Sequence, residues 1–258
     1  HIHIQKEWLT VSIDSSGDSL HKRGYRTATN IAPINEVLAA GMVLLSGYTG
    51  EENFIDPMCG SGTILIEAAM IANNIPANIN RKLFAFEQWK DYDEDLYFTI
   101  QESLLKKIRS SHFKIMGFDK APSAVEKATA NVANANLDEF IGVHHVNFFN
   151  SKKEVFGNTT ILFNPPYGER LNIDTEEFYK KIGDTLKNNY PGSTAWLITS
   201  DTDALKAVGL RTSRRIALKN ADLDCKFVKY ELYEGTRKFK EPKLDSDSEI
   251  DTEGEIEE

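Results

Sequence analysis

Cysteine is scarce in this chain, and no long apolar run occurs in it. The 258 residues include only two cysteines, Cys59 and Cys225, too few for a disulfide framework. This usage favours a reducing, cytoplasmic compartment. A secretory signal is absent, and so is the uninterrupted run of about 18 apolar residues that a membrane-spanning helix needs. Disulfide-stapled secreted proteins and integral membrane proteins are therefore excluded, and we expect no membrane partner.

Basic residues are fewer than acidic residues, and the excess of negative charge is concentrated near residue 258. The formal net charge is −9, yet residues 241–258 alone hold nine acidic side chains and one basic side chain. Residues 1–240 are nearly neutral, with 29 basic and 30 acidic side chains. The acidic segment lacks an apolar period and is predicted to be a disordered tail. The net charge therefore does not exclude nucleic acid, and two basic segments, 21–26 and 211–215, are candidate contacts or ordinary solvated surface.

Strand and helix patterns alternate from residue 53 to about residue 208. Helical patterns separate short apolar runs, which we interpret as strands at 53–56, 114–119, 142–148, 160–163 and 194–199. This alternation predicts an α/β fold with a mostly parallel sheet and helices on both faces. Ligands of such sheets bind outside the carboxyl ends of the strands, near the switch in strand order.

The flanking segments are predicted to have simpler roles. Residues 1–26 indicate a small β-hairpin and linker, and residues 27–240 a single catalytic domain. Residues 74–111 interrupt the alternation and are interpreted as an insertion on one face. Residues 211–218 and 225–234 are predicted to form a terminal antiparallel pair.

A glycine-bearing loop follows the first strand of the alternation. It reads Asp56-Pro57-Met58-Cys59-Gly60-Ser61-Gly62-Thr63. The loop lacks the third glycine of a dinucleotide fingerprint and the Gly-Lys-Ser/Thr of a P-loop. Its glycines allow the backbone to approach a ligand closely. We interpret it as the loop that holds the amino-acid part of S-adenosylmethionine, with Asp56 meeting the ammonium group; a tight turn without ligand is the alternative.

Further polar residues end the next two predicted strands. Asp119 is placed to accept hydrogen bonds from both ribose hydroxyls, as the acidic residue does in dinucleotide folds. Asn147 could read an adenine edge, and Phe148 could stack on the base. The alternative for Phe148 and Phe149 is that both are core residues. His144 and His145 have no suitably spaced partner, so we predict no metal site.

The segment Asn164-Pro165-Pro166-Tyr167 follows the strand at 160–163 and has the most specific chemistry in the chain. The Asn164 side-chain oxygen and the Pro165 carbonyl are two acceptors for the N–H groups of one amine. Each proline fixes its own φ, and Pro166 restricts Pro165 to extended geometry. Tyr167 offers a stacking face for an unstacked base. Together these residues predict methyl transfer to an exocyclic amino nitrogen of a nucleobase; a proline-rich turn is the structural alternative.

These motifs resemble a known family. The glycine loop, the Asn-Pro-Pro-Tyr-Gly segment at 164–168 and the leader at 16–26 (Ser-Gly-Asp-Ser-Leu-His-Lys-Arg-Gly-Tyr-Arg) are similar to S-adenosylmethionine-dependent rRNA methyltransferases with an upstream THUMP domain. The 23S rRNA guanine 2-amino methyltransferases, often labelled adenine-specific DNA methylases, are the most similar subgroup. The resemblance covers about residues 1–235, and no THUMP domain is present in the sequence.

The resemblance implies a Rossmann-like class I methyltransferase fold, with seven strands and a terminal antiparallel hairpin. It implies S-adenosylmethionine as the cofactor, S-adenosylhomocysteine as its product, and 23S rRNA as the RNA partner. It also implies that Asp56, Gly60, Asp119, Asn147 and Asn164 contact the cofactor, and that residues 25–36 border it. For this chain we expect a monomer.

Two other functions remain open on the sequence alone. A DNA adenine 6-amino methyltransferase would present the same kind of amine to the same pocket. A catalytically inactive domain that binds S-adenosylmethionine and RNA would keep the glycine loop without needing the acceptor pair at Asn164 and Pro165.

Overall fold

The computed structural model describes residues 1–27, 34–166 and 174–234. Two short 3-10 turns, Ala85–Gln88 and Phe148–Asn150, accompany the helices and strands. In chain order these are β1 (Ile2–Gln5), β2 (Trp8–Val11), α1 (Glu36–Ser46), β3 (Asn53–Asp56), α2 (Thr63–Ala72), α3 (Glu94–Leu105), β4 (Ile115–Asp119), α4 (Pro122–Asn134), β5 (Ile141–His145), β6 (Thr159–Phe163), α5 (Thr175–Asn189), β7 (Ser193–Thr199), α6 (Ala204–Ala207), β8 (Thr212–Asn220) and β9 (Leu223–Leu232).

Within these residues, seven strands form one sheet in the order β5-β4-β3-β6-β7-β9-β8. The first five strands of that order run parallel, whereas β9 is antiparallel to both β7 and β8. The predicted fold class is therefore confirmed. The predicted terminal hairpin is also present, with Asn220 opposite Leu223 next to its turn.

Helices pack on both faces of the sheet. On one face, α1, α2 and α4 contribute Met42, Leu65 and Val132 to a core that includes Trp196 of β7. On the other face, α5 packs Ile182 and its neighbours against the opposite side of the same strands. The central strands β3 and β6 are buried along their whole length, as expected for parallel strands covered on both faces.

The direction of strand order reverses between β3 and β6. From β3 the chain proceeds outward to β4 and β5, then returns to β6 on the other side of β3 and continues to β7. This reversal leaves a crevice above the carboxyl ends of β3 and β6, because the connections that follow these two strands diverge. The glycine loop follows β3, and Asn164 follows β6.

The first residues form a two-stranded sheet, β1 and β2, separate from the main sheet. The turn between them places Lys6 in the left-handed region, with φ of 53°. The segment after this hairpin joins the start of the predicted insertion, since the Ala85 N–H donates to the Ser16 carbonyl at 3.2 Å. The end of the insertion is fixed to the main domain, where Arg109 Nε donates to the Ala72 carbonyl at 2.9 Å.

Each helix within the three described ranges is too short or too polar to cross a membrane.

Candidate active site

A cleft of about 260 Å³ opens at the switch in strand order. It is bordered by the ends of β3, β4 and β6, by the glycine loop and by the start of α5. Most of the site residues predicted from the sequence line it, namely Asp56, Pro57, Cys59, Gly60, Ser61, Thr63, Asp119, Asn147, Phe148, Asn164, Pro165 and Pro166. The fold thus brings together residues as far apart in the chain as Asp56 and Pro166.

The glycine loop turns sharply between β3 and α2. Gly60 and Gly62 have φ of 56° and 82°, which side-chain-bearing residues rarely adopt. The Gly62 N–H donates to the Cys59 carbonyl at 2.8 Å and closes the turn. Gly62 is absent from the cleft lining and instead faces α4, where an added Cβ would lie 3.3 Å from Cβ of Ala128. The absence of a side chain at Gly62 thus lets the start of α2 pack closely on α4, and its contact with the cofactor stays a prediction.

Asp119 joins the end of β4 to this loop. One carboxylate oxygen accepts the Gly60 N–H at 3.0 Å, and the other accepts the Ala121 N–H at 2.9 Å. A carboxylate oxygen has two lone pairs, so each can still accept a hydroxyl proton. Asp119 is thus oriented by backbone donors and keeps the capacity to bind both hydroxyls of a ribose.

Asp56 lies deeper in the cleft, with only 1% of its surface exposed. Burial raises the pKa of its carboxyl group well above the usual range, and the nearby Asp119 raises it further. A hydrogen bond from the Met58 N–H at 3.1 Å acts in the opposite direction. A cation placed against Asp56 would stabilise its ionised form, so the site favours a ligand with an ammonium group.

Cys59 fills space beside β4. Burial raises the pKa of its thiol well above the usual range, so the thiol is protonated and a poor nucleophile. An added Cβ at Gly117 would lie 3.2 Å from the Cys59 sulfur, which shows how closely the loop packs on the strand. Cys59 is therefore a small packing residue at the cleft wall.

Asn147 and Phe148 differ in placement from the prediction. The strand β5 ends at His145, and Asn147 caps the 3-10 turn that follows by accepting the Phe149 N–H at 3.1 Å. The predicted strand to residue 148 is wrong at its end, because this local cap competes with strand pairing. Phe148 is 2% exposed and packs on Phe163 and Tyr190, so it is a core residue with one edge at the cleft.

Asn164 follows β6 and presents an acceptor to the cleft. Its Oδ1 is buried and has no hydrogen-bond partner among the described residues. A buried acceptor without a donor is costly, so it marks a position that a ligand donor would satisfy. Pro165 and Pro166 continue the cleft wall. Tyr167, the predicted stacking residue, lies outside the described residues.

Residues 23–229 match a family model described as RMKL-like, methyltransferase domain (UPF0020). The chain belongs to this family. It is 35% identical to a Synechocystis protein that is named as an RNA methyltransferase, over 90% of this chain and 61% of that protein. It is also 35% identical to the ribosomal RNA large subunit methyltransferase K/L of Photobacterium profundum, over 93% of this chain and 35% of that protein.

A solved methyltransferase structure is also similar to this chain. The crystal structure of SMU.472, a methyltransferase complexed with SAH, superposes with a TM-score of 0.79 at 34% identity. The alignment covers 86% of this chain and 58% of that chain. This chain therefore spans between about a third and about three fifths of the length of the three proteins it is compared with.

Two arginines of the basic leader, Arg23 and Arg26, fold inward, whereas Lys22 is exposed. We call residues 23–27 the leader strap. Arg23 pairs with Glu67 of α2 at 3.3 Å, and the Tyr25 hydroxyl donates to the same carboxylate at 2.9 Å. Arg26 pairs with Glu36 at 3.2 Å. These long-range partners, which no local pattern reveals, neutralise the charge that the sequence displays.

The second basic segment lies far from the cleft. Residues 211–215 include the start of β8, which is parallel to β7 because both are antiparallel to β9. The start of β8 therefore lies toward the amino-terminal edge of the sheet, whereas the cleft opens at the carboxyl edge. Arg214 and Arg215 are exposed there, so this segment is surface charge remote from the site.

Ile34 and Met58 fall in segments that were predicted to border the cofactor, whereas four other lining residues of the cleft were not predicted. They are Ile64, Lys120, Phe149 and Phe178. Phe178 of α5 packs edge-to-face on Phe149 at 5.5 Å between ring centroids. A helical period identifies a buried face but does not show which part of that face borders a cleft.

Proposed function

We propose that this chain is the catalytic domain of an S-adenosylmethionine-dependent methyltransferase that modifies an exocyclic amino group of an RNA base. The guanine 2-amino group of 23S rRNA is the proposed target. The Oδ1 of Asn164 carries this proposal, because among the described residues it is a buried acceptor without a donor in a cleft that Pro165 also lines. Family membership and the similarity to rRNA methyltransferases support it.

The cleft residues fit the cofactor by their chemistry. Asp56 is a buried carboxylate suited to an ammonium group, and Asp119 is an oriented carboxylate suited to ribose hydroxyls. The glycine loop lets the backbone between them approach the ligand. When bound, S-adenosylmethionine supplies an electrophilic methyl group on a sulfonium.

The acceptors at the end of β6 would prepare the target nitrogen. Asn164 Oδ1 and the Pro165 carbonyl accept the two N–H bonds of the base amine, which withdraws the nitrogen lone pair from conjugation with the ring. The lone pair would then be available to the methyl group that bound S-adenosylmethionine supplies. Forming the carbon–nitrogen bond would break the carbon–sulfur bond and leave S-adenosylhomocysteine, and the amine would release one proton to solvent. Preorganised acceptors and alignment supply the rate enhancement.

Transfer assays would test this proposal directly. Radiolabelled S-adenosylmethionine would be incubated with unmodified 23S rRNA transcript and, in parallel, with adenine-containing duplex DNA. Digestion and mass spectrometry of the nucleosides would identify the methylated base. We expect N2-methylguanosine in the RNA. Methyl transfer confined to DNA adenine would instead support the 6-amino DNA methyltransferase, which presents a similar amine to the same acceptors.

Substitution of Asn164 would separate catalysis from cofactor binding. Asn164→Ala should reduce transfer at least 100-fold, because one preorganised acceptor is lost. The dissociation constant for S-adenosylhomocysteine should change little, whereas Asp119→Ala should weaken that binding chiefly. A transfer rate unaffected by Asn164→Ala would refute the role assigned to Asn164. Wild-type cofactor binding without transfer to any nucleic acid would favour the inactive binding domain.

A further inference from the structure

The leader strap is attached to three helices that lie near the glycine loop. Besides the ion pairs of Arg23 and Arg26, the Thr27 N–H donates to Asn131 Oδ1 at 3.1 Å. Asn131 Nδ2 in turn donates to the Ser61 carbonyl within the loop at 2.9 Å. A single segment near the start of the chain therefore contacts α1, α2 and α4, and it reaches the loop through Asn131.

Arg26 is the strap residue that reaches the cleft walls. Its Nη2 donates to the Thr63 hydroxyl at 2.8 Å and to the Ile34 carbonyl at 2.9 Å. Thr63 and Ile34 both line the cleft, one from the glycine loop and the other from the segment before α1. The Arg26 side chain is 15% exposed and Glu36 is 5% exposed, so water competes little for these bonds.

Arg23 provides a natural comparison within the same strap. It is also buried, with 7% of its side chain exposed, and it also pairs with a buried carboxylate, Glu67. Its guanidinium also donates from Nη1 to the Leu20 carbonyl, and neither Glu67 nor Leu20 lines the cleft. Arg23 thus shares the chemistry of Arg26 without its connection to the site.

We propose that Arg26 is a positioning residue of the S-adenosylmethionine site. Its guanidinium holds the Thr63 hydroxyl and the Ile34 carbonyl at a fixed separation, and this sets the width of the cleft beside the glycine loop. The planar guanidinium can donate to several acceptors in one arrangement, which the single ammonium of lysine does not reproduce. The proposal rests on the assignment of this cleft as the cofactor site.

Paired substitutions test the proposal. Arg26→Met should raise the dissociation constant for S-adenosylhomocysteine, measured by calorimetry, about tenfold, because an oriented charged donor is lost from the cleft wall. Arg23→Met should lower the melting temperature of the domain about as much as Arg26→Met does. It should, however, change the dissociation constant for S-adenosylhomocysteine less than twofold. Equal weakening of binding by both variants would overturn the proposal, since it would indicate general destabilisation.

A double-mutant cycle between Arg26 and Thr63 measures whether the two residues act on binding through each other. It provides a second test in case Arg26→Met is poorly folded. Thr63→Val should weaken binding and Thr63→Ser should retain it, because serine keeps the hydroxyl. The double variant of Arg26→Met and Thr63→Val should bind about as weakly as the weaker single variant. Fully additive losses would overturn the proposal.

Asp119→Ala serves as the reference for the site itself. Loss of binding in Asp119→Ala with normal binding in Arg26→Met would refute the role of Arg26 and leave the proposed function intact. Normal binding in Asp119→Ala would refute the assignment of the cleft and, with it, both proposals.

Discussion

At the scale of single residues, Asp56 carries the clearest electrostatic signature of the cleft. Its carboxyl group is buried and its pKa is raised, so in the empty domain it holds a proton at pH values where an exposed aspartate is ionised. A bound ammonium group would favour the carboxylate and cause that proton to be released. We therefore expect the proposed binding of the cofactor at Asp56 to depend on pH.

We predict that S-adenosylhomocysteine binds more tightly as pH rises from the ordinary aspartate pKa through the raised pKa of Asp56. Below this window the protonated carboxyl meets the ammonium without charge attraction, and above it the carboxylate is already formed. Calorimetry across a pH series checks the trend, and Asp56→Asn should remove most of it. A pH-independent affinity in the wild type would contradict the assignment of Asp56.

The raised pKa of Asp56 also predicts that, without ligand, the free energy of unfolding decreases as pH rises. The contribution of Asp56 to folding is fully present below the unfolded pKa, and it is lost as pH rises through the raised folded pKa. Asp56→Asn should therefore flatten the decrease in unfolding free energy over that interval. Urea denaturation at several pH values measures it, and an unchanged pH profile in the variant would show that Asp56 is not the responsible group.

The residue-level predictions from sequence succeeded where chemistry is local and failed where partners are distant. The glycine loop and Asn164 line the cleft because each ends a strand that the apolar pattern identifies. The burial of Arg23 and Arg26 was not predicted, because their partners are glutamates on separate helices. A single sequence shows which residues are charged, but it does not show which of them form ion pairs.

At the scale of elements, close contacts between helices depend on particular glycines. Gly183 of α5 lies against the backbone after α6, where an added Cβ would be only 1.8 Å from the Val208 carbonyl oxygen. Gly41 of α1 has nothing within 4 Å of the same position. The two glycines therefore form a matched pair with opposite surroundings.

Gly183→Ala should destabilise the domain by about 1–3 kcal/mol, because α5 and the segment after α6 must separate. Gly41→Ala should instead stabilise it by about 0.5–1 kcal/mol, since alanine favours an open helical position. Chemical denaturation of both variants tests this. Similar changes in both would mean that helix propensity, rather than the contact at Val208, decides the outcome.

The order of the elements was predictable because the alternation of patterns is strong. The five predicted parallel strands, the helix that begins with Pro122 and the terminal hairpin all occur in the structure. The end of β5 was not predictable, since the cap formed by Asn147 stops the strand where apolar residues continue. The Asn147 side chain competes with a neighbouring strand for the backbone N–H groups, and the sequence pattern does not show which of the two prevails.

At the scale of the whole molecule, neither basic segment forms a positive surface at the cleft. The arginines of the leader strap are internally paired, and residues 211–215 lie toward the opposite edge of the sheet. Phosphate contacts dominate the salt-dependent part of RNA affinity, so little of that affinity comes from these arginines.

We therefore predict that this chain binds structured RNA weakly and with a shallow dependence on salt, while it binds S-adenosylhomocysteine well. Fluorescence anisotropy with an rRNA hairpin at several salt concentrations measures the first property. Thermal denaturation measures the second, because a ligand at about 100 times its dissociation constant adds roughly 2.7 kcal/mol. Tight RNA binding with a steep salt slope would show that a positive surface has been overlooked.

The leader strap also has a consequence for the order in which the domain is completed during synthesis. Thr27 bonds Asn131 and Asn134, partners 104 and 107 positions later in the chain. The ribosome releases the strap early, but its last anchor on α4 emerges only after β3, α2 and β4 have been made. The wall of the cleft beside the glycine loop is thus closed late, and a nascent chain that stops before α4 lacks the means to hold it.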